Sequence, residues 1–274
     1  MIEKTIAIYV FIDDILINIG HKEPNCRKTF DSEIITTALV AGLIFKGHIE
    51  HAICFVKSTG LLPNMLGKSR FNRRVHAIIE LIFYLFFHIS DAIKKLNISS
   101  QYTIDSFPIA VCENIRICRS KIIKGDVYRG YRASKRQYFY GFSVQVIATI
   151  DGIPVEFAFI PGSIHDVDGM KNLFFNLPEG SIVYGDSAYT DYTWEDELKF
   201  AEKIKLMIAR KSNSKRKHEP WEEYLIQTFR KGIETMFSQI TAMFPKRIHA
   251  VTVEGFMLKI VLFIFAFTFQ KILL

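Results

Sequence analysis

Three carboxylates occur in contrasting settings along this sequence. Asp105 lies inside the β-rich stretch TIDSFP, Asp186 follows the apolar run IVYG, and Glu234 lies in the helical pattern FRKGIETMFSQI. Carboxylates drawn from separate elements can together bind a hard divalent cation such as Mg²⁺, which takes oxygen ligands and leaves room for phosphate oxygens. Two such ions about 3.5–4 Å apart can serve the attacking and the leaving oxygen of a phosphodiester. The chemistry that these residue types would support is therefore phosphoryl transfer.

Each carboxylate also has an ordinary structural explanation. An Asp at the end of a strand, such as Asp186, is commonly a turn former or a helix cap, and a helical Glu such as Glu234 is usually solvated. Asp105 is less ordinary, because a carboxylate within an apolar strand needs partners. Asp166 and Asp168 are alternative acids that fit the start of a helix. Periodicity permits the first three carboxylates to meet but does not join them.

A run of positive charge lies between Asp105 and Asp186. Its one acid is Asp126, and its tyrosines could stack on unpaired bases or pack within a hairpin. We interpret the run as a contact surface for nucleic-acid phosphates, with a solvated loop of excess charge as the alternative. The basic residues are Arg116, Arg119, Lys121, Lys124, Arg129, Arg132, Lys135 and Arg136, and the interleaved tyrosines are Tyr128, Tyr131, Tyr138 and Tyr140.

The composition is that of a globular, basic protein. The 274 residues are 49% hydrophobic and carry a net charge of +7, with a pI of about 9.1. This composition excludes a disordered chain, and the charge favours polyanionic partners. The cysteines, Cys26, Cys54, Cys112 and Cys118, form no CxxC pair. We therefore expect no structural zinc site and a reducing, cytoplasmic location.

The apolar ends of the chain favour buried helices. Glu3, Asp13 and Asp14 interrupt the N-terminal apolar stretch, so we expect no signal peptide. Near the C-terminus the longest uncharged run, 260–270, is shorter than the ~20 residues that a membrane span needs. We interpret it as a buried helix and expect no membrane partner, with a membrane-surface role as the minor alternative.

Helical periodicity dominates residues 1–98, and strands appear after them. Asp31 or Ser32 is predicted to cap one helix, Gly60 to end a second, and 69–97 to form a third. From residue 99 the pattern predicts a strand, a hairpin with a type I′ turn at Asp151-Gly152, and then alternating helices and strands. This order favours an α/β domain with a mixed sheet.

The acidic segments resemble a known family in their order along the chain. TIDSFPIAVC, YGDSAYTD and RKGIETMFSQ resemble the three acidic motifs of DDE transposases from bacterial insertion sequences, within the retroviral-integrase or RNase H-like superfamily. PGSIHDVDGM resembles the segment that follows the second hairpin strand in those enzymes, and PNMLGKSRFNRRVH resembles part of their N-terminal region. The resemblance covers nearly the whole chain.

This resemblance implies a fold, a catalytic triad and a cofactor. Asp105 matches the first catalytic Asp, Asp186 the second, and Glu234 the Glu. The implied fold is RNase H-like, with a mixed five-stranded sheet flanked by helices over 99–274, preceded by a helical region over 1–98 that binds DNA ends. The implied cofactor is a pair of Mg²⁺ or Mn²⁺ ions held by the same three carboxylates.

The family pattern also directs attention to basic residues, with one departure. Many relatives carry Lys or Arg two turns after the Glu, where this chain has Thr241, and Arg230 and Lys231 are candidates to replace that contact. His165 either contacts a phosphate or serves as a polar residue at a helix start. Arg70, Arg73 and Arg74 lie at the start of a helix that could read DNA in a helix-turn-helix-like manner.

We therefore hypothesise a transposase that acts on double-stranded DNA. Metal-activated water would attack the phosphorus at the end of the element and free a 3′-hydroxyl, which would then attack target DNA. The predicted partners are the terminal inverted repeats, the target DNA and a second copy of the chain, in the cytoplasm at the nucleoid. A nuclease of the same fold that cuts without joining, and a non-catalytic DNA-binding relative, remain alternatives.

Overall fold

The structure is a computed structural model, and it describes residues 1–132 and 136–273. The chain divides into two compact units, each formed from separated segments. The helical unit comprises Met1–His88, Ile240–Ala250 and Glu254–Leu274, and the sheet unit comprises Ile89–Gln239 and Val251–Val253. The sequence-based boundary between 98 and 99 stays a prediction.

Helices and strands succeed one another in the predicted order, except for one additional strand and for the third predicted helix, which is divided in two. The helices are α1 (Ile2–Asn18), α2 (Asp31–Phe45), α3 (Ile49–Ser58), α4 (Lys68–Ala77), α5 (Ile79–Leu96), α6 (Asp166–Lys171), α7 (Tyr192–Ala201), α8 (Pro220–Ala242) and α9 (Val253–Leu273). The strands are β1 (Gln101–Cys112), β2 (Arg129–Arg132), β3 (Gln137–Thr149), β4 (Pro154–Pro161), β5 (Ile182–Gly185) and β6 (Lys205–Ile208).

Helix α9 packs within the helical unit. The ring of Phe269 lies 5.5 Å from that of Phe11, and the ring of Phe265 lies 5.6 Å from that of Phe86. Gly42 of α2 faces Ala266 so closely that a Cβ atom added there would lie 3.3 Å from the Ala266 Cβ. This close packing buries the apolar C-terminal stretch, as the sequence predicted.

By length and composition alone, some helices are apolar enough to cross a membrane. Among the described residues α9 meets this criterion by itself, although 67% of its most apolar window is buried inside the structure. Two bent pairs, α2 with α3 and α4 with α5, also pass when each is taken as one broken span. The finding concerns hydropathy and length, and the expectation of no membrane partner stays a prediction.

Two details of the helical unit differ from the sequence-based expectations. The third predicted helix is two helices, α4 and α5, which meet at Ile78 with a bend of 62°. The predicted N-cap of α2 was Asp31 or Ser32, but the cap position is Phe30, whose backbone N–H donates to Glu33 Oε2 at 2.6 Å. Asp31 is instead the first helical residue, and its buried carboxylate accepts hydrogen bonds from outside its helix.

The sheet unit is built on a mixed sheet with β1 in the middle. The order is β2-β3-β1-β5-β6, and β4 also pairs with β3. β1 and β3 are antiparallel, as are β3 and β4, whereas β1, β5 and β6 are parallel. The predicted mixed sheet flanked by helices, with a helical region before it, is therefore confirmed.

Two features of the sheet departed from the sequence-based predictions. β2 lies within the basic run, where the short sequence RGYR contains no apolar alternation to reveal a strand. The predicted type I′ turn at Asp151-Gly152 requires positive φ at both residues, but only Gly152 has it, at 76°. Gly152 N–H donates to the Thr149 carbonyl at 2.8 Å, so the hairpin closes through a longer loop with glycine in its left-handed position.

The sheet leaves one side of β1 open beside its second half. Pairing between β1 and β5 ends where Ile104 meets Gly185, and β1 continues to Cys112. Helix α8 packs against the Phe107 side of β1, because the ring of Phe237 lies 4.7 Å from that of Phe107. This open edge of β1 receives the candidate site.

Candidate active site

Asp105 and Asp186 lie at matching positions on neighbouring parallel strands. Each follows a residue of the last pair between β1 and β5, Ile104 and Gly185, so both lie at the same level along the two strands. Adjacent strands are about 4.8 Å apart, which brings the two carboxylates side by side. The backbone N–H of Ser106 donates to Asp105 Oδ1 at 2.7 Å, and that of Ser187 donates to Asp186 Oδ1 at 2.5 Å.

The carboxyl group of Asp105 is strongly perturbed by its surroundings. Burial raises its pKa from 3.8 to about 7, the hydrogen bond from Ser106 lowers it in part, and the nearby charges of Asp166 and Asp186 raise it further. The guanidinium of Arg230 opposes this rise but does not cancel it. Any added positive charge would stabilise the ionised form of a carboxylate in such surroundings.

Glu234 approaches the pair of aspartates through Arg230 on the same helix. Arg230 Nη2 lies 3.4 Å from Asp186 Oδ2 and 3.8 Å from Glu234 Oε1. Ile233 and Phe237 on α8 are buried in the core, whereas Glu234 is 63% exposed. The buried stripe of α8 therefore holds Glu234 at the solvent side of the aspartate pair, where a ligand can reach it.

Asp166 is a fourth carboxylate at this site, although its sequence pattern favoured a helix-start residue over a site acid. It is the first residue of α6, and its Oδ1 accepts a hydrogen bond from Ser106 Oγ at 2.7 Å. Gln145, which pairs with Ser106 across β1 and β3, donates from Nε2 to the Asp166 carbonyl at 2.6 Å. Burial, followed by the charge of Asp166, raises the pKa of the enclosed Tyr189 hydroxyl well above its usual value. Finding the contact between Ser106 and Asp166 from the sequence would have required the pairing register of β1 with β3.

The donor set fits divalent cations. Among the described residues at this site are three clustered aspartates and Glu234, against which Arg230 supplies one positive charge. Carboxylate oxygens are the ligands that Mg²⁺ and Mn²⁺ prefer. The excess of negative charge is the observation that a bound cation would relieve.

The remaining predicted residues near the sheet are dispersed. His165 is exposed at the N-cap position of α6, and Lys231 is exposed on α8. The basic run follows the far end of β1, and at about 3.3 Å per residue the seven steps from Asp105 to Cys112 span about 23 Å. Its exposed members are Arg116, Arg119, Lys121, Lys124, Arg129 and Arg136, whereas Lys135 and the side chain of Arg132 lie outside the described residues.

The tyrosines of the basic run divide into two pairs. Tyr140 is buried, with Tyr128 packed against it at a ring distance of 6.2 Å. Tyr131 and Tyr138 are both exposed on the paired strands β2 and β3, with their rings 4.8 Å apart. The first pair packs the hairpin, and the second is accessible to a ligand.

In the helical unit, Arg74 is separated from its two predicted companions. Arg70 and Arg73 are exposed on α4. Arg74 instead donates from Nε to Asp31 Oδ1 at 2.9 Å and from Nη2 to Glu23 Oε2 at 3.0 Å. Its guanidinium is therefore committed to neighbouring carboxylates.

These carboxylates form a second acidic cluster, defined by His21, Glu23 and Asp31. The potential ligand atoms of the three residues lie within 4.8 Å of one another. Arg27 also reaches it, with Nη1 3.1 Å from Glu23 Oε2 and 3.3 Å from Asp31 Oδ2. Two guanidinium groups thus already neutralise the two carboxylates, which makes this cluster a structural ion-pair network.

Comparison with known proteins finds a family for the segment that contains most of the sheet unit. A family model described as a transposase DDE domain matches residues 95–248. This range contains β1 to β6 and α8, and with them all the carboxylates of the candidate site. No curated protein and no solved structure gave a significant match.

Proposed function

The chain belongs to the transposase DDE domain family, and we propose that it cuts DNA at the ends of an insertion sequence and joins those ends to target DNA. Membership of this family implies DNA binding and a transposase function. One observation carries the finer proposal: Asp105 and Asp186 stand side by side at the open edge of β1, with Glu234 linked to them through Arg230.

Each acidic residue has a proposed role that follows from its position. Asp105, between the charges of Asp166 and Asp186, is the central ligand for cations. Asp186 and Glu234 flank it, so each holds one side of the site. DDE domains typically bind divalent metal, and two Mg²⁺ or Mn²⁺ ions held here would balance charge at the scissile phosphate and activate the attacking hydroxyl group.

Arg230 is proposed to pair with the carboxylates of the site and then to contact a DNA phosphate. Its guanidinium lies against Asp186 and Glu234 and offsets part of their charge. A side chain that is 30% exposed on the solvent side of the aspartates can turn toward a DNA phosphate once cations bind. In this role it replaces the basic contact that Thr241 does not supply.

The exposed basic residues are proposed to hold the DNA. The candidates at the far end of β1, together with Arg70 and Arg73 on α4, present unburied positive charge to phosphates. Phosphate contacts release counterions, so affinity falls steeply with salt concentration. Arg74 is omitted because its guanidinium is bound to Asp31 and Glu23.

The experiment that tests this proposal uses oligonucleotide duplexes carrying the inverted repeats that flank the gene. We expect Mg²⁺-dependent cleavage at the repeat end, and transfer of a pre-cut 3′-hydroxyl end into plasmid DNA. Cleavage without transfer would favour a nuclease of the same fold. Tight, salt-sensitive binding with no cleavage in Mg²⁺ or Mn²⁺ would favour a non-catalytic DNA-binding protein.

We further propose that the chain acts as a homodimer on nucleoid DNA. Joining two ends of one element requires that both be held together, which a homodimer with one site per end achieves. We place this reaction on nucleoid DNA in the bacterial cytoplasm, in keeping with the unpaired cysteines. Sedimentation of the chain with and without repeat duplexes tests the dimer, since a 1:1 complex with one end would contradict it.

A further inference from the structure

A pocket within the helical unit is separate from the acidic site. It has a volume of about 270 Å³ and is bounded by α2, α3, α4, α9 and the segment before α9. Apolar side chains form its floor, among them Phe71, Val75 and Leu262. Small-molecule pockets are typically about 300–1,000 Å³ and mostly apolar, with a few polar groups that fix orientation. The volume therefore suits a ligand of modest size.

The charged groups of this pocket are mainly cationic. Lys46, Lys68, Arg247 and Lys259 all line it, whereas Glu50 is the acid among its lining residues. Glu50 Oε1 lies 3.1 Å from Lys68 Nζ, so its charge is already matched. A pocket with this charge balance is complementary to an anion.

Lys259 is the most confined of these cations. It is the one charged residue of α9 between Glu254 and Lys271, and its ammonium group donates to the His249 carbonyl, which fixes it at the pocket wall. Burial, and then the charge of Lys68, lower its pKa. A bound anion would offset the effects of burial and of Lys68 on this pKa, because it adds an opposite charge beside a partly desolvated ammonium group.

The rim adds planar rings to the cations. His48 and His51 line the pocket, with ring centroids 5.3 Å apart and an interplanar angle of 33°. Such rings can stack on a heteroaromatic base. Apolar floor, flat rim and cationic wall therefore lie within one small cavity.

We propose that this pocket binds a nucleotide, with its phosphate at Lys259, beside Lys68, and its base between the apolar floor and the histidine rim. An inorganic anion would leave the apolar floor unused, and a long acyl chain would exceed the volume. The choice of a nucleotide among phosphate esters rests on the proposed action on DNA. The nucleotide is either free or the terminal residue of a DNA end.

Calorimetric titration of the full chain without divalent cations tests this assignment. We expect dAMP or dTMP to bind more tightly than inorganic phosphate or the matching deoxynucleoside, because only the nucleotide uses both halves of the pocket. Lys259→Gln should weaken nucleotide binding about tenfold or more, as loss of a charged hydrogen bond does. Lys57→Gln, at an exposed position of α3 outside the pocket lining, should leave it unchanged.

Two further arms separate this site from the acidic site and identify the source of the nucleotide. Asp105→Asn should keep nucleotide binding even though it removes cleavage, so failure of the proposed DNA chemistry would not imitate failure here. Weaker binding of a repeat duplex by Lys259→Gln identifies a DNA-end nucleotide, and unchanged binding identifies a free one. No nucleotide binding at millimolar concentration, or equal binding by the Lys259→Gln protein, would overturn the proposal.

Discussion

Two acidic clusters in this chain use the same residue types to opposite effect. In the helical unit, Glu23 and Asp31 are met by the guanidinium groups of Arg27 and Arg74 at hydrogen-bond distance. In the sheet unit, Asp105 lies among like charges that, with burial, raise its pKa to about 7, and Arg230 compensates only in part.

The counter-charge, rather than the carboxylates, therefore distinguishes a structural network from a candidate metal site. A neutralised cluster is already stable and has no need of a ligand. An uncompensated cluster stores unfavourable free energy that a cation can release. Proximity of acids and a histidine alone would have pointed to the helical unit instead.

The largest expected effect is on DNA cleavage. Replacing Asp186 by Asn should lower the cleavage rate by about 10³-fold or more, because it removes a cation ligand and the charge that the reaction requires. Asp31→Asn is the matched control, and its rate per folded molecule should stay near that of the wild type. Single-turnover cleavage of a repeat duplex in Mg²⁺ measures both, and equal losses would erase the distinction between the clusters.

The second largest expected effect is a loss of folding stability at high pH, caused by Asp105 in the sheet unit. Because the folded pKa of Asp105 is about 7 and its ordinary value is 3.8, the folded state holds the proton more tightly than the unfolded state. Stability is therefore fully present below about pH 4 and is lost as the pH rises through 7, by about 4 kcal/mol. Thermal unfolding followed by fluorescence of Trp194 and Trp221 should show this loss without divalent cations.

Two controls sharpen the pH experiment. Asp105→Asn should remove most of the pH dependence, since the amide does not titrate in this range. Addition of Mg²⁺ at pH 8 should restore stability to the wild type by binding the folded state. A wild-type stability that is flat from pH 5 to pH 8 would contradict the strained state assigned to Asp105.

A smaller effect is expected when the ion-pair network of the helical unit is opened. Asp31 is 2% exposed, so Asp31→Asn leaves two guanidinium groups short of a partner and should cost about 2–3 kcal/mol. Glu50→Gln breaks the exposed pair with Lys68 and should cost about 0.5 kcal/mol or less. Calorimetric unfolding compares the two, and stabilisation by Asp31→Asn would refute the structural role.

The smallest expected effect concerns Asp166. Asp166→Asn retains a hydrogen-bond acceptor for Ser106 but removes a charge that raises the pKa of Asp105. The acidic limb of the cleavage pH–rate profile should therefore move to lower pH by about half a unit. Asp168→Asn, at an exposed position of the same helix, should leave the profile in place.

Elements with strong local signals could be predicted from the sequence. The apolar runs of β1, β3 and β5 were found by their β-branched and aromatic residues. The break at Ile78 was missed because apolar periodicity continues through it. The strand β2 was missed because its four residues show no alternation.

The site was predictable only in part, because it depends on pairing register. The positions of Asp105, Asp186 and Glu234 came from motif resemblance, and their roles stay predictions. The contact of Asp166 with Ser106 joins residues far apart in sequence, and no local pattern reports it. The commitment of Arg74 to Asp31 and Glu23 likewise needed the packing of α1, α2 and α4.

The most direct test of a cation site at Asp105 is Mn²⁺ binding to the metal-free chain, monitored by the loss of the free-ion signal in electron paramagnetic resonance. We expect saturable binding to the wild type and to Asp31→Asn, and loss of binding in Asp105→Asn at the same concentrations. Binding that survives Asp105→Asn but is lost in Asp31→Asn would place the cation in the helical unit and contradict a site at Asp105.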